Sequence, residues 1–254
     1  MNTLVQLGDK LWLLLKGYRG TLLERAVLTG GLFILFIGGY FGVGLSTSPR
    51  EAHELGTSLD GQIPFLARSV WIYLLIFPAT LIPLFVVRCP RLLRRTALAY
   101  ATTISVSLLC FTAFPVTSAR LRVAPAILDM TRPSDWAVSI LYSIDPPYNL
   151  FPSLHLSIAL VAAFSAWKAA RLYGTVAFVC LVFIGVSVCT VKQHVVVDAL
   201  GGVALGTLVS AVILKPYRPQ VGMAPAYSWR GPSLYLLLLV LVYTGFYLTY
   251  LMAS

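Results

Sequence analysis

Residues 191–202 read Val-Lys-Gln-His-Val-Val-Val-Asp-Ala-Leu-Gly-Gly and place His194 four residues before Asp198 within a long apolar run. Residues i and i+4 of a helix share one face, so Asp198 is expected to accept a hydrogen bond from the His194 ring. Such a carboxylate fixes the tautomer of an imidazole and stabilises its cationic form, as in a catalytic triad. The alternative is a buried pair that only locks helix packing. Ionisable groups at membrane depth are costly and commonly functional, so this stretch alone leaves both interpretations open.

The composition around this stretch predicts a polytopic membrane protein. Hydrophobic residues make up 58% of the 254 residues and charged residues 11%, against about 25% charged residues in a soluble domain. The mean hydropathy is +0.84. Each span needs about 20 residues, so the chain has room for about seven of them.

The spacing of apolar and basic residues predicts an all-α membrane helix bundle in three parts. Residues 1–25 have leucines at helical spacing with basic residues between them, which indicates an amphipathic helix on the inner membrane face. Residues 26–231 form the main membrane domain with six spans, and residues 232–254 add a C-terminal seventh span. The spans are expected at 26–45, 70–87, 96–116, 152–167, 173–191, 194–214 and 232–251. A loop as long as the connection 117–151 is usually functional in a compact protein.

The net charge of +10 does not require a nucleic-acid partner, and none is expected, because the basic residues cluster between apolar runs. With the N-terminus inside, thirteen of the nineteen lysines and arginines fall on inner segments. The six outer ones are Arg50, Arg68, Arg120, Arg122, Arg132 and Lys192. The positive-inside rule thus places the connection 117–151 and the turn before His194 on the outer face. The expected location is a bacterial inner membrane, with that face extracytoplasmic.

A second motif, Phe151-Pro-Ser-Leu-His155, begins the predicted fourth span. Pro152 suits the first turn of a helix, where its missing N–H costs nothing. The unpaired N–H groups of that turn and the positive end of the helix dipole suit a phosphate, and Ser153 adds a hydroxyl. The alternative is an ordinary helix start with a structural histidine at position 155.

The predicted topology brings both motifs and several cations to one membrane edge. The residues that meet there are His155, His194, Asp198, Ser153, Arg120, Arg122 and Lys192. No cysteine or second carboxylate joins them with metal-ligand spacing, so we expect neither a metal nor another cofactor. In phosphoryl transfer, fixed cations stabilise the phosphoryl oxygens, one imidazole attacks phosphorus and a second protonates the leaving oxygen. The set therefore predicts metal-free phosphoryl transfer.

These motifs carry a family resemblance. Pro152-Ser153-Leu154-His155 resembles the Pro-Ser-Gly-His motif of the type 2 phosphatidic acid phosphatase superfamily. The run from His194 to Asp198 resembles its His-x-x-x-Asp motif, with Ser187 at the usual distance before it. The resemblance covers roughly residues 65–215, and the order of the motifs and spans matches as well.

The chain departs from the superfamily pattern at three places. Val188 stands where an arginine is usual, and Leu154 replaces the glycine. The first motif, Lys-x6-Arg-Pro, is absent as written, because Pro125 stands at the lysine position before Arg132-Pro133.

The residues around the motifs resemble the branch that contains inositol phosphorylceramide synthases and related bacterial proteins. Phe-Pro-Ser-Leu-His and the sequence Thr190, Lys192 and Gln193 before His194 are similar to that branch. Phe114-Pro-Val-Thr-Ser-Ala-Arg120 resembles its Phe-Pro-x-x-Pro-Pro-Arg. By this resemblance, Arg120 is expected to be the phosphate-binding arginine, and Arg122 is the second candidate. Lys192 is expected to take the place of the missing arginine.

The resemblance implies a role for each residue of the set. His194 is the nucleophile that becomes phosphohistidine, Asp198 orients it, and His155 protonates the leaving group. The phosphate is held by Arg120, Arg122, Lys192 and Ser153. The implied protein is an integral membrane lipid phosphatase or phosphotransferase. Its partners are the bilayer and a phospholipid, isoprenoid phosphate or sphingolipid phosphate substrate.

Two other functions stay open at this point. A transporter or flippase for an anionic lipid would use the cations as a binding site, but it favours inverted repeats and helices broken at mid-membrane depth. Neither is apparent in the sequence. A purely structural membrane protein leaves the placement of both histidine motifs unexplained. Water or an alcohol can resolve the same phosphohistidine, so hydrolysis and transfer are equally compatible with the residues.

Overall fold

The computed structural model describes residues 2–47, 52–218 and 230–253. Helices take up 76% of these residues and no strand occurs among them, which confirms the predicted all-α membrane bundle. The α-helices are α1 (Asn2–Ser46), α2 (Ser58–Gln62), α3 (Val70–Tyr73), α4 (Ile76–Val86), α5 (Pro90–Ala113), α6 (Pro133–Ile144), α7 (Leu154–Ala169), α8 (Arg171–Thr190), α9 (Val196–Val209) and α10 (Arg230–Ala253). A π-helical turn, Ser210–Leu214, continues α9.

Several of these helices can cross a membrane. Within the described ranges, five stretches are long and apolar enough: Leu23–Ser46, Pro90–Ala113, Arg171–Thr190, Val196–Leu214 and Pro232–Ala253. Two shorter apolar stretches, Ala67–Leu81 and Leu154–Ala169, coincide with the predicted second and fourth spans. The polytopic character is therefore confirmed, while the number of seven spans stays a prediction. α1 runs continuously into the first span, so no helix end marks the predicted boundary at residue 25.

The predicted second span, residues 70–87, is two helices rather than one. α3 ends at Tyr73 and α4 begins at Ile76, with a turn between them. Pro78 explains the break, because it lacks the N–H that would bond to the carbonyl of Leu74 and its ring crowds that carbonyl. The break leaves Tyr73 at the end of its helix, where it is fully buried.

α7 is the central helix, and it packs against α4, α5, α8 and α9. Each residue from Ala159 to Ala163 is at most 6% exposed. A Cβ on Gly202 of α9 would lie 2.4 Å from the backbone oxygen of Ser153, and one on Gly206 would lie 2.7 Å from that of Ser157. Only glycine permits such an approach, as at other helix contacts in membranes. The start of α9 is thereby fixed against the start of α7.

The long connection between α5 and α7 is partly helical. The predicted loop 117–151 contains α6, which begins at Pro133, a residue that suits the first helical position. Isolated bridges pair His53 with Val116 and Val116 with Asn149. These bridges hold the connection against the segment that follows α1, just before α7 begins.

Candidate active site

The turn between α8 and α9 carries His194. The N–H groups of Gln193 and His194 both donate to the backbone carbonyl of Val188, at 3.0 and 3.1 Å. Lys192 has a φ of 57°, a left-handed conformation that is uncommon for a residue with a side chain. α9 begins only at Val196. The prediction that His194 lies on the sixth helix was therefore wrong, because the chain turns at residues 191–195 before the helix starts.

Asp198 lies in the first turn of α9 and faces the His194 ring. The Nδ1 atom of His194 lies 3.6 Å from Oδ2 of Asp198, and the two side chains are 3% and 0% exposed. The same carboxylate oxygen accepts the backbone N–H of Val195 at 3.2 Å. Asp198 therefore both caps α9 and contacts the ring, so the structure brings the predicted pair together.

The other ring nitrogen of His194 faces the start of α7. Its Nε2 atom lies 3.1 Å from Nδ1 of His155 and 3.2 Å from Oγ of Ser153. Ser153 is the N-cap of α7, and its hydroxyl oxygen accepts the N–H of Leu156 at 3.5 Å. The backbone N–H of Ser153 donates to the carbonyl of Asp198 at 3.0 Å. The two sequence motifs thus meet at the ends of α7 and α9.

Arg122 contacts the turn that carries His194. Its Nη2 donates to the side-chain oxygen of Gln193 at 2.6 Å and to the carbonyl of Asp145 at 3.1 Å. Its Nη1 donates to the carbonyls of Asp145 and Tyr142, both at 3.2 Å. Nε of Arg122 and Nε2 of Gln193 are buried and have no hydrogen-bond partner among the described residues. Two donor groups beside the turn are therefore left unpaired.

The other two predicted cations have different partners. Arg120 forms an ion pair with Glu54 at 2.9 Å, and 84% of its side chain is exposed. Lys192 is buried, and its ammonium donates to the backbone carbonyls of Asp60 and Ile63, at 2.9 and 2.5 Å. Arg120 thus lies on the surface, whereas Lys192 fastens the turn to the segment before α3.

Asp60 supports the same turn, although its place in the sequence does not single it out. Its Oδ1 accepts the backbone N–H of Val196 at 2.7 Å, and its Oδ2 accepts the N–H and hydroxyl of Thr57 at 2.7 and 2.8 Å. Burial alone would raise the pKa of the Asp60 carboxyl. These hydrogen bonds and the charge of Lys192 outweigh burial and hold the pKa below its ordinary value. In the sequence Asp60 is one acid of a polar stretch, and no spacing links it to residue 196.

Tyr73 is a second neighbour that the sequence does not reveal. Its hydroxyl lies 2.8 Å from Nε2 of His155, and the residue is fully buried. His155 therefore has a partner at each ring nitrogen: His194 at Nδ1 and Tyr73 at Nε2. A tyrosine within an apolar run is commonly an ordinary core residue, so no pattern marks this one.

An apolar groove has His155 in its lining. It is lined by residues of α1, α4, α5 and α7, and its empty volume, open side included, is about 860 Å³. Phe33 and Phe77 line it and expose 64% and 44% of their surfaces, so the groove opens towards the bilayer. Its wall on α1 runs from Thr29 to Tyr40, a rise of about 16 Å. That length is close to half of the hydrocarbon thickness of about 30 Å.

Comparison with known proteins supports a family assignment. The sequence pattern of the PAP2 superfamily matches residues 52–212, which is more than half of the chain and includes both histidine motifs. Comparisons with curated proteins and with solved structures gave no significant match. The chain therefore belongs to the PAP2 superfamily, whose members are generally phosphatases or phosphotransferases.

Proposed function

We propose that this protein is an integral membrane phosphatase or phosphotransferase that acts on a lipid phosphate through a phosphohistidine. The observation that carries the proposal is the 3.1 Å contact between Nε2 of His194 and Nδ1 of His155, with Asp198 behind the first ring. Two imidazoles that face each other can divide the chemistry into nucleophile and general acid. The Phe151-Pro-Ser-Leu-His155 motif supports a place in the inositol phosphorylceramide synthase-like branch.

His194 is the nucleophile in this proposal. The Asp198 carboxylate lies 3.6 Å from Nδ1 of His194 and favours the tautomer with the proton on that nitrogen, which leaves the lone pair on Nε2. Its charge also stabilises the positive charge that develops on the ring when Nε2 attacks. The lone pair attacks phosphorus, and the bond from phosphorus to the leaving oxygen breaks. Protonated His155 gives its Nδ1 proton to that oxygen, which departs as an alcohol. Phosphorus and the leaving oxygen come between the two nitrogens, so substrate binding separates the rings.

The second step regenerates the enzyme. Water or an alcohol attacks the phosphohistidine, the bond between phosphorus and nitrogen breaks, and His155 takes the proton of the attacking oxygen. Water gives a phosphatase and a lipid alcohol gives a transferase, and the same residues serve both reactions.

The phosphoryl oxygens need fixed donors around His194. Ser153 and the free N–H groups at the start of α7 supply some of them, because a helix N-terminus suits an anion. Arg122 is the first choice of cation, since it contacts Gln193 and retains an unpaired Nε donor. Lys192 and Arg120 are the further candidates, of which Arg120 is the more exposed.

The groove supports a lipid as the substrate. Its apolar wall leads from the bilayer to His155, and it is long enough to hold a hydrocarbon chain within one leaflet. A substrate whose chain lay there could present its phosphate ester to the two histidines, because His155 lines the groove and contacts His194.

Product analysis tests the proposal directly. Purified protein in detergent is given lipid phosphates labelled in the phosphoryl group, with and without a lipid alcohol, in excess chelator. We expect released phosphate or a phosphorylated alcohol, and an acid-labile label on the protein. Complete loss of activity in chelator, restored by magnesium, would contradict the metal-free mechanism.

Histidine variants identify the labelled residue. His194→Ala should abolish both turnover and the label. His155→Ala should abolish turnover and slow the formation of the label, because it removes the acid of the first step and the base of the second. His53→Ala is the matched control, because His53 stacks on Phe114 in an exposed loop. Asp198→Asn should lower turnover by about 10⁴-fold, as when the orienting carboxylate of a triad is lost. Near-normal turnover by His194→Ala would refute the proposed mechanism.

A further inference from the structure

We propose that Tyr73 is a positioning residue for the general acid, and this inference rests on the proposed function. Its phenolic oxygen accepts the Nε2–H of His155 and thereby keeps the transferable proton of that ring on Nδ1. Nδ1 is the nitrogen that lies 3.1 Å from His194, where the phosphoryl group must pass.

The geometry supports a fixed contact. The Tyr73 hydroxyl lies 2.8 Å from Nε2 of His155, and the two ring centroids are 5.4 Å apart. Tyr73 has no exposed surface, and its neighbours Val70 and Leu74 are equally buried. A buried hydroxyl without a hydrogen bond is costly, so its pairing with His155 keeps the tyrosine in place.

The break after α3 also contributes to this placement. A continuous helix would carry residue 73 in mid-helix, whereas here Tyr73 is the last residue of α3. α3 packs against α6 and α8. These contacts place the hydroxyl beside the first turn of α7, where His155 lies.

The chemistry of imidazole gives the contact its consequence. In a histidine ring, the hydrogen bond made by one nitrogen determines whether the other nitrogen carries the proton. Protonated His155 has an N–H on both nitrogens, and loss of the Nδ1 proton leaves the Nε2–H tautomer. A phenol oxygen can accept that N–H before and after the transfer. Without the hydroxyl, either nitrogen can lose its proton, and only one of them faces the leaving oxygen.

Two substrates with different leaving groups test the role. Purified Tyr73→Phe is assayed on a lipid phosphate, whose alkoxide needs a proton, and on p-nitrophenyl phosphate, whose phenolate leaves unprotonated at neutral pH. The rate of the first step, in which the leaving group is released and the protein is labelled, is measured in a single turnover, because the second step uses His155 as a base on both substrates. We expect this rate to fall about 100-fold on the lipid phosphate, the lower range for a general acid. On p-nitrophenyl phosphate we expect it to change by less than about threefold, because its leaving group needs no proton. On p-nitrophenyl phosphate, whose first step needs no acid, Tyr73→Phe added to His155→Ala should not change the rate of nitrophenolate release further.

Tyr243→Phe is the matched control, because its hydroxyl donates to the carbonyl of Trp71, close to Tyr73, and not to His155, and because Tyr243 does not belong to the lining of the groove. It should leave the ratio of the two activities unchanged. Equal losses of Tyr73→Phe on both substrates, or no loss on the lipid phosphate, would overturn the inference. If Tyr73→Phe does not fold, Tyr73→Met removes the same hydroxyl and provides the same comparison. A wild-type protein that cleaves neither substrate would instead overturn the proposed function, and this inference with it.

Discussion

The ammonium of Lys192 lies 2.9 Å from the backbone oxygen of Asp60, whose carboxylate accepts the N–H of Val196 at 2.7 Å. One segment therefore holds the turn on both sides of His194. Leu66 adds a backbone hydrogen bond to the carbonyl of Thr190 at 3.0 Å. The position of the proposed nucleophile thus depends on residues outside the two histidine motifs, and variants can separate support of the turn from phosphate binding.

Lys192 is the first test of that separation. An ammonium has three donors, and the carbonyls of Asp60 and Ile63 take two of them. If the third donor binds a phosphoryl oxygen, Lys192→Gln should lower kcat by about 100- to 1,000-fold, as when one transition-state donor is removed. Lys192→Arg should retain part of the activity, because it keeps the charge. If the steady-state kcat of Lys192→Gln is within a few-fold of wild type, Lys192 holds the turn in place and does not bind the phosphate.

Asp60 should stabilise the fold in a pH-dependent way. Its pKa is lowered in the folded protein, so the stabilisation is present above the ordinary aspartate value of about 3.9 and is lost as pH falls through the folded-state pKa. Hydrogen bonds to a charged group contribute about 1.5–3 kcal/mol each. We expect Asp60→Asn to lower the melting temperature by about 5 °C at pH 7, at roughly 2–4 °C per kcal/mol.

Thermal unfolding in detergent at pH 7 and at about pH 2.5, well below the ordinary aspartate pKa of about 3.9, measures this effect. The difference in melting temperature between wild type and Asp60→Asn should be smaller at the lower pH. Asp129→Asn serves as the control, because the Asp129 carboxylate bonds within its own exposed turn, to Thr131 and Arg132. If the difference in melting temperature does not change with pH, the charge of Asp60 does not contribute to the stability of the fold.

Arg122 and Arg120 should differ sharply if the phosphate lies beside Gln193. Arg122→Lys removes the planar fork that reaches Gln193 and Asp145 while it keeps the charge, so we expect kcat to fall about 100-fold. Arg120→Lys should stay within a few-fold of wild type, because that side chain is exposed and paired with Glu54. A larger loss of kcat for Arg120→Lys than for Arg122→Lys would assign the phosphate contact to Arg120 instead.

The active site is expected on the extracytoplasmic face, from the distribution of lysines and arginines. Single cysteines at Ala126 and Arg218, both exposed positions, should react with an impermeant thiol reagent from opposite sides of the membrane. The background for this experiment lacks the four native cysteines. Labelling of Arg218→Cys from outside intact cells would reverse the predicted orientation.

Much of the candidate site was predictable because it rests on local spacing. His194 with Asp198, and Ser153 with His155, are close in sequence and lie at the ends of apolar runs, so each pair stays together in the fold. The two pairs can meet because of the topology. The spans that carry them end on the same face of the bundle, where those ends can approach each other. The start of α9 at Val196 was not predictable, because the left-handed Lys192 and the doubly bonded Val188 carbonyl have no signature in an apolar run.

The sequence by itself determined the class of the protein: an apolar, basic-flanked chain buries helices in a bilayer, and its two histidine motifs identify the superfamily. Only the tertiary structure decided which side chains surround the histidines. The fold brings Tyr73 and Asp60 to the site from separate segments of the chain. Gln193 is adjacent to His194 in sequence, and it is the orientation of its side chain that the fold determines. Both kinds of contact depend on how the helices pack. The different surroundings of Arg120 and Arg122 also appear only in the tertiary structure, because two arginines separated by one residue in a loop differ only in what the fold places next to each of them. Which of them binds the phosphate stays a prediction.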